Sequence, residues 1–252
     1  EIEFDAEEYV QHENVHVIVT KDGWLKRIRE TNDPASTRIR EGDSLFFVQA
    51  SSTRNSLALF TNHGNAFVVK IHELSQTTGY GEPVQKLFRF QDGENVIQAL
   101  VLDRGLDPEK LGQLVFYTAR GFGYRFSLSG LSDTKKTGRK LVKVSEGDEL
   151  AGLFYLQNEI VFFISAAGYA VTYLATEVPE LSGAGKGVIL QKIPSDDSLV
   201  AGCSVSRSSS VSILASDNEE KSISIRSLTL GSRAKRGNKL IKRGLPVTGI
   251  KI

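Results

Sequence analysis

The sequence predicts an all-β fold made of repeated four-stranded sheets, and three observations lead to that prediction. An apolar strand, a tight turn and a second strand follow one another five times along the 252 residues. A second, independent turn signal recurs at the same interval of about 50 residues. No apolar period of 3.6 persists over the length that a helix would need. Repeats of this length stack small sheets against one another, and the stack buries one continuous core.

The first turn signal is a hydroxyl residue three positions before a glycine, as in Thr20 and Gly23. This spacing is typical of a hairpin in which a type I turn is followed by a left-handed residue, a conformation that glycine adopts without steric cost. A fifth copy, residues 211–219, keeps the strand and a hydroxyl residue, Ser216, but has no glycine. Complete turns are therefore predicted at residues 20–23, 61–64, 118–121 and 165–168.

Each turn is followed by a strand whose side chains alternate, as Trp24, Lys26 and Ile28 do with their neighbours. Alternation predicts one buried face and one exposed face. A polar loop rich in glycine and basic residues comes next, then the second turn signal with its acidic residues, and then another apolar strand. The second signal lies at Gly42, Gly93, Gly147 and, without glycine, at residues 194–198.

The order of these signals resembles that in the C-terminal domain of the A subunit of bacterial type IIA topoisomerases, DNA gyrase and topoisomerase IV. Residues 17–27 (VIVTKDGWLKR) are especially similar, and the resemblance extends from residue 12 to the end of the chain. It implies a β-pinwheel, a propeller-like disc of five or six four-stranded blades that exchange strands with their neighbours. The expected single domain contains approximate repeats at residues 12–55, 56–110, 111–155, 156–207 and 208–252.

The resemblance also implies a function. In that family duplex DNA bends around a basic perimeter, and the DNA-cleaving tyrosine and the ATP site lie in other regions or subunits. We therefore expect a non-catalytic domain that binds and bends or wraps DNA, assists strand passage and supercoiling control, and needs no cofactor or metal. The implied partners are duplex DNA, the ATPase B subunit of the enzyme, and the remainder of the A subunit. The fragment itself is expected to be monomeric.

Gyrase A subunits carry a glutamine- and arginine-rich box with two glycines in a loop of the first repeat. The matching loop here, residues 30–40, has neither the glycines nor the arginine cluster, and the nearest analogue in composition is residues 235–239. The chain therefore resembles a topoisomerase IV A subunit, or a gyrase-like paralogue with a degenerate box.

Charge is distributed unevenly along a chain whose formal net charge is only +1. Residues 1–50 contain 11 acidic and 6 basic side chains, whereas residues 204–252 contain 3 acidic and 10 basic ones. Residues 1–8 include five acidic side chains, which argues against a secretory signal, and no apolar run approaches the roughly 18 residues needed to span a bilayer. We expect a cytoplasmic, nucleoid-associated bacterial fragment of a longer protein, with no membrane contact and with Cys203 as a core residue.

Basic loops provide the strongest functional signal. Residues 233–243 contain six cations in 11 positions and residues 134–143 contain five in ten, while residues 182–192 repeat the pattern more weakly. Each loop lies between the second strand and the second turn signal of its repeat, so a ring of repeats would place the loops on one rim. Lysine and arginine there would neutralise DNA phosphates and release counterions, whatever the base sequence. We expect the tightest contact in the last repeat, and the predicted DNA-binding residues are Arg233, Lys235, Arg236, Lys239, Lys242, Arg243, Lys135, Lys136, Arg139, Lys140, Lys143, Lys186, Arg38, Arg40 and Lys86.

Two motifs suggest other chemistry. Residues 12–16 read His-Glu-Asn-Val-His, which on a helix would place two imidazoles beside one zinc ion, but the second histidine opens an alternating strand. Residues 182–188 resemble a phosphate-binding loop, yet no Ser or Thr follows Lys186 and no helix follows the glycines. The second interpretation is a propeller-type protein-interaction scaffold with no DNA role, which would bind a protein partner through its loop tips or the face of the disc. A zinc hydrolase is the third.

Overall fold

The computed structural model describes residues 10–241 and 246–252, and within them the protein consists of β-strands, short 3-10 helices and connecting turns. The chain forms two compact units. Of the described residues, the first comprises residues 10–61, 65–111 and 131–139, and the second comprises residues 62–64, 112–130, 140–241 and 246–252. No helix within the described ranges is long and apolar enough to cross a membrane.

The strands of the described residues are β1 (Asn14–Thr20), β2 (Trp24–Arg29), β3 (Leu45–Ser52), β4 (Ser56–Thr61), β5 (Asn65–Lys70), β6 (Glu82–Pro83), β7 (Val96–Leu102), β8 (Gln113–Thr118), β9 (Phe122–Ser127), β10 (Arg139–Lys140), β11 (Leu150–Tyr155), β12 (Ile160–Ser165), β13 (Tyr169–Leu174), β14 (Val188–Ile189), β15 (Leu199–Val205), β16 (Ser210–Ala215), β17 (Glu220–Ser224), β18 (Asn238–Lys239) and β19 (Val247–Lys251). The 3-10 helices are Pro34–Ser36, Ile71–Glu73, Val84–Lys86, Pro108–Lys110, Leu128–Gly130, Ala175–Glu177 and Ile225–Ser227.

The strands form five antiparallel sheets within the described ranges. In each of the first four sheets, the hairpin is flanked by the third long strand of the same repeat and by a two-residue strand from the next repeat. We call β6, β10, β14 and β18 the exchanged strands. The strand orders are β3-β1-β2-β6, β10-β5-β4-β7, β11-β8-β9-β14, β15-β12-β13-β18 and, in the fifth sheet, β17-β16-β19. The prediction of an all-β fold with four-stranded units is confirmed.

The first four hairpin turns have the predicted conformation. Their glycines are left-handed, with φ between 78° and 86°. In the first hairpin the N–H of Gly23 donates to the carbonyl of Thr20 (3.0 Å), and the Thr20 hydroxyl accepts from the N–H of Trp24 (3.0 Å). The hydroxyl residue thus satisfies the first backbone donor of the second strand. The equivalent hydroxyl bonds join Thr61 to Asn65 (3.3 Å), Thr118 to Phe122 (3.2 Å) and Ser165 to Tyr169 (3.3 Å).

The fifth hairpin makes the same turn without glycine. Asn218 occupies the left-handed position with φ 66° and donates its N–H to the carbonyl of Ala215 at 3.0 Å. Asparagine tolerates this conformation better than most residues because its short polar side chain bonds locally. Ala215, and not Ser216, therefore stands at the position that the hydroxyl residue occupies in the other four copies.

A carboxylate from the second turn signal binds the hairpin turn of the same repeat. In the first repeat, Asp43 Oδ1 accepts from the N–H groups of Asp22 (3.1 Å) and Ser44 (2.7 Å). Burial acts to raise the pKa of Asp43, but hydrogen bonds from the Thr20 hydroxyl and the backbone, with the charge of Arg40, lower it overall. A carboxyl group whose pKa is lowered in the folded state stabilises the protein above its ordinary pKa. That stabilisation is lost as the pH falls through the lowered value.

The same connection recurs in the next three repeats. In the second repeat the longer side chain of glutamate makes this connection. Glu94 Oε1 accepts from the hydroxyl of Thr61 and from the side-chain amide of Asn65, both at 2.6 Å. The third and fourth repeats use aspartate and two backbone donors each. The donors are Arg120 (3.0 Å) and Glu149 (2.8 Å) for Asp148, and Ala167 (2.9 Å) and Ser198 (2.8 Å) for Asp197. The two turn signals of each of the first four repeats are therefore bonded to each other.

The core of the second unit lies on both sides of β12. Alternate side chains of β12 pack into two clusters, one shared with β16 residues such as Ile213 and the other shared with β8 residues such as Val115. Cys203 lies in the first cluster, and burial raises the pKa of its thiol to about 12, so its prediction as a core residue is confirmed. The predicted exposed face of the second strands is wrong for β5, where residues 65–69 are all buried. In the fourth repeat, residues 170–173 of β13 are also buried, because that sheet is covered on both faces.

Replacing Asp197 by alanine tests the link between the two turn signals. Asp197 is only 8% exposed, and its loss leaves two backbone N–H groups without their acceptor. We expect Asp197→Ala to lower the free energy of unfolding by about 1–3 kcal/mol, measured by urea denaturation. The neighbouring exposed residue Asp196 provides the control, since Asp196→Ala should change the free energy of unfolding by less than about 0.5 kcal/mol. Equal losses in the two variants would contradict the link.

Candidate nucleic-acid interface

The basic loops predicted from the sequence contain the exchanged strands. Residues 134–143 include β10, residues 182–192 include β14 and residues 233–243 include β18. Each exchanged strand pairs with the second strand of the preceding hairpin, β5, β9 and β13 respectively. The segments predicted as polar loops therefore contain short strands. Sheet pairing fixes the backbone of these segments, so their cations project from an ordered edge.

A common sequence pattern explains how the exchanged segments bind. Each has a left-handed glycine, with φ between 69° and 87°, and an apolar residue three positions later. The N–H of that apolar residue donates to the carbonyl of the turn glycine of the preceding hairpin. These bonds join Val84 to Gly23 (2.8 Å), Leu141 to Gly64 (2.9 Å), Leu190 to Gly121 (2.7 Å) and Leu240 to Gly168 (2.9 Å).

Glycine is required in the exchanged segments because two backbones meet there. A Cβ atom on Gly237 would lie 1.9 Å from the carbonyl oxygen of Ala170, and one on Gly187 would lie 2.1 Å from that of Gly123. Both contacts are with backbone, which cannot rotate away, and both glycines are also left-handed. The glycines of the basic loops therefore serve strand exchange.

Replacing Gly237 tests whether strand exchange orders the basic segment. We expect Gly237→Ala to separate β18 from β13, to lower the melting temperature by several degrees, and to speed hydrogen exchange at the amide of Leu240. Gly183→Ala is the matched control, because a Cβ there meets nothing within 4 Å. Unchanged protection of Leu240 in Gly237→Ala would show that the segment does not depend on this close approach.

The densest group of described cations surrounds β18. Lys235, Arg236 and Lys239 are exposed, and Arg233 is half-buried. The guanidinium of Arg236 lies 3.8 Å from the centre of the Tyr169 ring, and the ammonium of Lys239 lies 5.4 Å from it. Attraction to the ring face holds these two cations at the sheet edge without neutralising them. We call Arg233, Lys235, Arg236 and Lys239 the β18 cluster.

The β18 cluster belongs to the fourth sheet, although the fifth repeat encodes it. Lys239 pairs with Tyr169 and Asn238 with Ala170, both in β13. Strand exchange therefore moves the densest basic segment one sheet back from the repeat that carries it in the sequence. Lys242 and Arg243, the last two residues predicted in this segment, lie outside the described residues.

Cations rest on aromatic rings in two other sheets. Lys186 lies 4.0 Å from the ring centre of Phe122, and Arg40 lies 4.8 Å from that of Trp24. The aromatic residue follows the turn glycine in the first, third and fourth sheets, whereas the second and fifth have Asn65 and Glu219 at this position. The third and fourth sheets thus support a basic residue of the exchanged segment on an aromatic ring at the start of the second strand.

A buried glutamine holds the β18 cluster against the fourth sheet. Gln191 is fully buried, and its Nε2 donates to the carbonyl oxygens of Tyr169 (2.9 Å) and Arg236 (2.8 Å). It therefore fixes the backbone of the cation and that of the aromatic residue beneath it. The equivalent residue of the second repeat, Gln85, is exposed.

The cations of residues 134–143 are divided between the two compact units. Lys135, Lys136 and Arg139 belong to the first unit, in which both lysines are exposed and the arginine is half-buried. Lys140 and Lys143 belong to the second unit and are exposed. The ammonium of Lys140 donates to the carbonyl of His63 at 2.8 Å, within the same unit.

The cations predicted near the first sheet are held by local contacts. Arg38 stacks on Tyr80, with 4.7 Å between the guanidinium carbon and the ring centre, and donates to its hydroxyl at 3.1 Å. Beneath it lies Lys26, only 1% exposed, which donates to the carbonyls of Arg38 (2.7 Å) and Gly79 (2.6 Å) and whose pKa is lowered by burial. Lys86 forms an ion pair with Glu82, so its charge is partly compensated.

Sequence reasoning missed two cations beside the β18 cluster. Lys192 is exposed, and its N–H donates to the carbonyl of Lys235 at 2.9 Å. Lys221 reaches from β17 and donates to the carbonyl of Leu240 at 2.9 Å. The sequence does contain a pattern that predicts Lys192, because every exchanged segment has a lysine five positions after its left-handed glycine. These lysines are Lys86, Lys143, Lys192 and Lys242.

The histidine motif lies on extended backbone. His16 belongs to β1, where it pairs with Ile28 and Ala50, so the two histidines do not share a helix face. Within the described ranges, no group of three His, Cys, Asp or Glu residues is arranged to hold a metal ion. The absence of a metal or cofactor stays a prediction.

Comparison with known proteins gives a consistent family assignment. The family model described as the DNA gyrase C-terminal domain, a β-propeller, matches residues 55–103, 112–156 and 159–202, together more than half of the chain. The chain is 28% identical over 255 residues to the A subunit of DNA topoisomerase 4 from Streptococcus pneumoniae, covering 96% of this chain and 30% of that protein. It is 25% identical over 223 residues to the A subunit of DNA gyrase from Aminobacterium colombiense, covering 84% of this chain and 27% of that protein.

Solved structures show the same fold. The C-terminal domain of a DNA topoisomerase IV superposes with a TM-score of 0.82 at 23% identity, covering 96% of this chain and 78% of that one. The E. coli ParC C-terminal domain gives 0.80 at 17% identity, covering 95% and 98%. The chain spans about 30% of the length of the curated relatives.

Proposed function

Because the chain belongs to the DNA gyrase C-terminal domain family and is a C-terminal domain of a type IIA topoisomerase A subunit, we propose that it binds and bends duplex DNA without base specificity. In this proposal the domain contributes no catalytic residue and no cofactor. It works with the ATPase B subunit, together with the remainder of its own A subunit, in the bacterial cytoplasm. It assists strand passage by holding DNA beside the catalytic regions.

The observation that carries the proposal is the ordered display of cations on exchanged strands. The segment that contains β18, residues 228–241, has four cations and no acidic residue. Two of those cations rest on Tyr169, and Gln191 fixes the backbone beneath them. An ordered cation loses less conformational entropy on binding a phosphate than a mobile one does. The cluster is therefore prepared for a phosphate backbone.

Backbone phosphates are a suitable ligand because they recur along every duplex. Lysine and arginine neutralise them with release of counterions, which gives affinity for all sequences and a strong dependence on salt. Bending a site of 20–30 base pairs costs on the order of 1–6 kcal/mol, and several separate basic segments can offset that cost. The exchanged segments of successive sheets supply such separate contacts.

Removing the exposed cations of the β18 cluster tests the proposal. We expect the triple variant Lys235→Ala, Arg236→Ala, Lys239→Ala to bind duplexes of unrelated sequence more weakly and to a similar extent. The slope of log affinity against log salt should flatten by about 1 for each phosphate that the variant no longer neutralises. Fluorescence anisotropy with labelled duplexes at several salt concentrations measures both quantities.

The matched control removes exposed cations that lie outside the exchanged segments. Lys110→Ala with Arg226→Ala should leave affinity and salt slope close to those of the wild-type chain. If the triple variant binds DNA with unchanged affinity and slope, DNA binding through this edge is wrong. A protein-interaction scaffold would then be the better interpretation.

We expect Gln191 to affect DNA affinity through its hydrogen bond to Arg236. We expect Gln191→Leu to weaken DNA binding by about threefold to tenfold, because the cation over Tyr169 loses its backbone support. In a chain that already carries Arg236→Ala, the same substitution should have much less effect. Anisotropy measures the affinities, and thermal denaturation shows whether each variant is folded.

The exposed equivalent provides the control for this position. Gln85→Leu should leave DNA affinity unchanged. Equal losses from Gln191→Leu with and without Arg236 would mean that the glutamine supports the fold and not the cation.

A further inference from the structure

A polar groove lies at the end of the second sheet opposite its hairpin turn. Its volume is about 1080 Å³, and all of its lining residues belong to the first compact unit. It is formed by the residues that precede β1, the turn between β3 and β4, the ends of β5 and β7, and residues 132–133. We propose that this groove binds a small anion that carries more than one phosphate group. The proposal is independent of the exchanged strands.

The floor of the groove is a network of charged and polar side chains. Asp133 Oδ1 accepts from Arg104 Nη2 at 2.9 Å and from the Ser56 hydroxyl at 3.2 Å, and Asp133 Oδ2 lies 4.0 Å from Lys70 Nζ. Arg104 also donates through Nε to Ser56 (3.0 Å) and through Nη1 to the carbonyl of Leu131 (3.2 Å). These bonds fix the floor before any ligand binds, so ligand binding would not have to order it.

The charges in the groove favour an anion. Among the described residues that line the groove, Arg54, Lys70 and Arg104 contribute three positive charges, while Asp103 and Asp133 contribute two negative ones. The balance is positive even when the two lining histidines, at positions 12 and 72, are counted as neutral. Asp133 is already engaged by Arg104, so the uncompensated charge lies toward Arg54 on the rim.

Arg54 is the residue best placed to bind the ligand. It is exposed, and within the described residues its guanidinium donates only through Nε, to the carbonyl of Val10 at 3.2 Å. Its two Nη atoms present a planar pair of donors, which matches the oxygen atoms of a phosphate group. Arginine in this setting discriminates between a phosphate and a neutral polar ligand.

The remaining lining selects for phosphate oxygens. Ser52, Asn55 and Ser132 contribute hydroxyl and amide donors, whereas the described residues that line the groove include no phenylalanine, tyrosine or tryptophan. Among these residues a nucleobase would find no ring on which to stack. The volume exceeds that of one phosphate ion, and the cations come from separate segments, so two or more linked phosphates fit the arrangement better.

Calorimetric titration with inorganic pyrophosphate at low ionic strength tests the site. We expect the wild-type chain to bind, Arg54→Ala to bind at least about tenfold more weakly, and Arg54→Lys to recover part of the loss. Arg226→Ala is the matched control, because Arg226 is an exposed arginine at the corresponding end of the fifth sheet. Absence of binding at millimolar pyrophosphate, or equal affinity of wild type and Arg54→Ala, would overturn the proposal.

Repeating the titration with duplex DNA present distinguishes the sources of phosphate. If DNA displaces pyrophosphate from the wild-type chain, and Arg54→Ala weakens DNA binding as well, the site takes phosphates of a nucleic acid. If pyrophosphate binds equally well with DNA present, the site takes a free oligophosphate. Displacement by DNA with no effect of Arg54→Ala on either ligand would place the phosphate contact elsewhere and contradict the site.

Discussion

The left-handed glycine of each of the first four hairpin turns is the constraint on which the rest of the structure depends. Its N–H closes the turn, as Gly121 does on Thr118 at 2.9 Å, and its carbonyl accepts the exchanged segment of the next repeat, as Gly121 does from Leu190 at 2.7 Å. A carboxylate from the second turn signal of the same repeat also accepts a backbone N–H of the turn, as Asp148 does from Arg120 at 3.0 Å. One short turn therefore joins the two hairpin strands, the third strand and the next repeat.

The placement of charge follows from this geometry. The exchanged segment must approach the second strand closely enough that only glycine fits, which fixes its register against the sheet. The residues on either side of that glycine are then held at the sheet edge, and in the fourth sheet they include Arg236 and Lys239 over Tyr169. Strand exchange therefore explains why these basic segments are ordered.

Much of this architecture is predictable from the sequence because it is local. The turn glycines, the hydroxyl residue before them and the period of the repeats are all set within a few residues, and they predict the hairpins correctly. Strand exchange is not local. β14 and β18 are two residues long, so they show no alternation, and each pairs with a hairpin about 65–70 residues earlier. The sequence therefore predicts basic loops where the structure has basic strands.

The same contrast between local features and long-range contacts applies to the individual site residues. The cations of the β18 cluster were predictable from composition, whereas the role of Gln191 was not, because a glutamine gives no sign of which carbonyls it will bind. Lys192 was predictable in principle from the spacing after the exchanged glycine, which becomes meaningful only when strand exchange is known. The fifth repeat was misaligned by one residue because Asn218 takes the place of glycine.

The central claim is that exchanged strands hold the cations that bind DNA. Amide chemical shifts of the isotope-labelled chain, titrated with a short duplex, test it most directly. We predict that the largest changes occur in the exchanged segments, at residues 138–143, 187–192 and 235–241, and that they disappear at high salt. Unchanged spectra, or changes confined to residues outside those segments, would contradict the account.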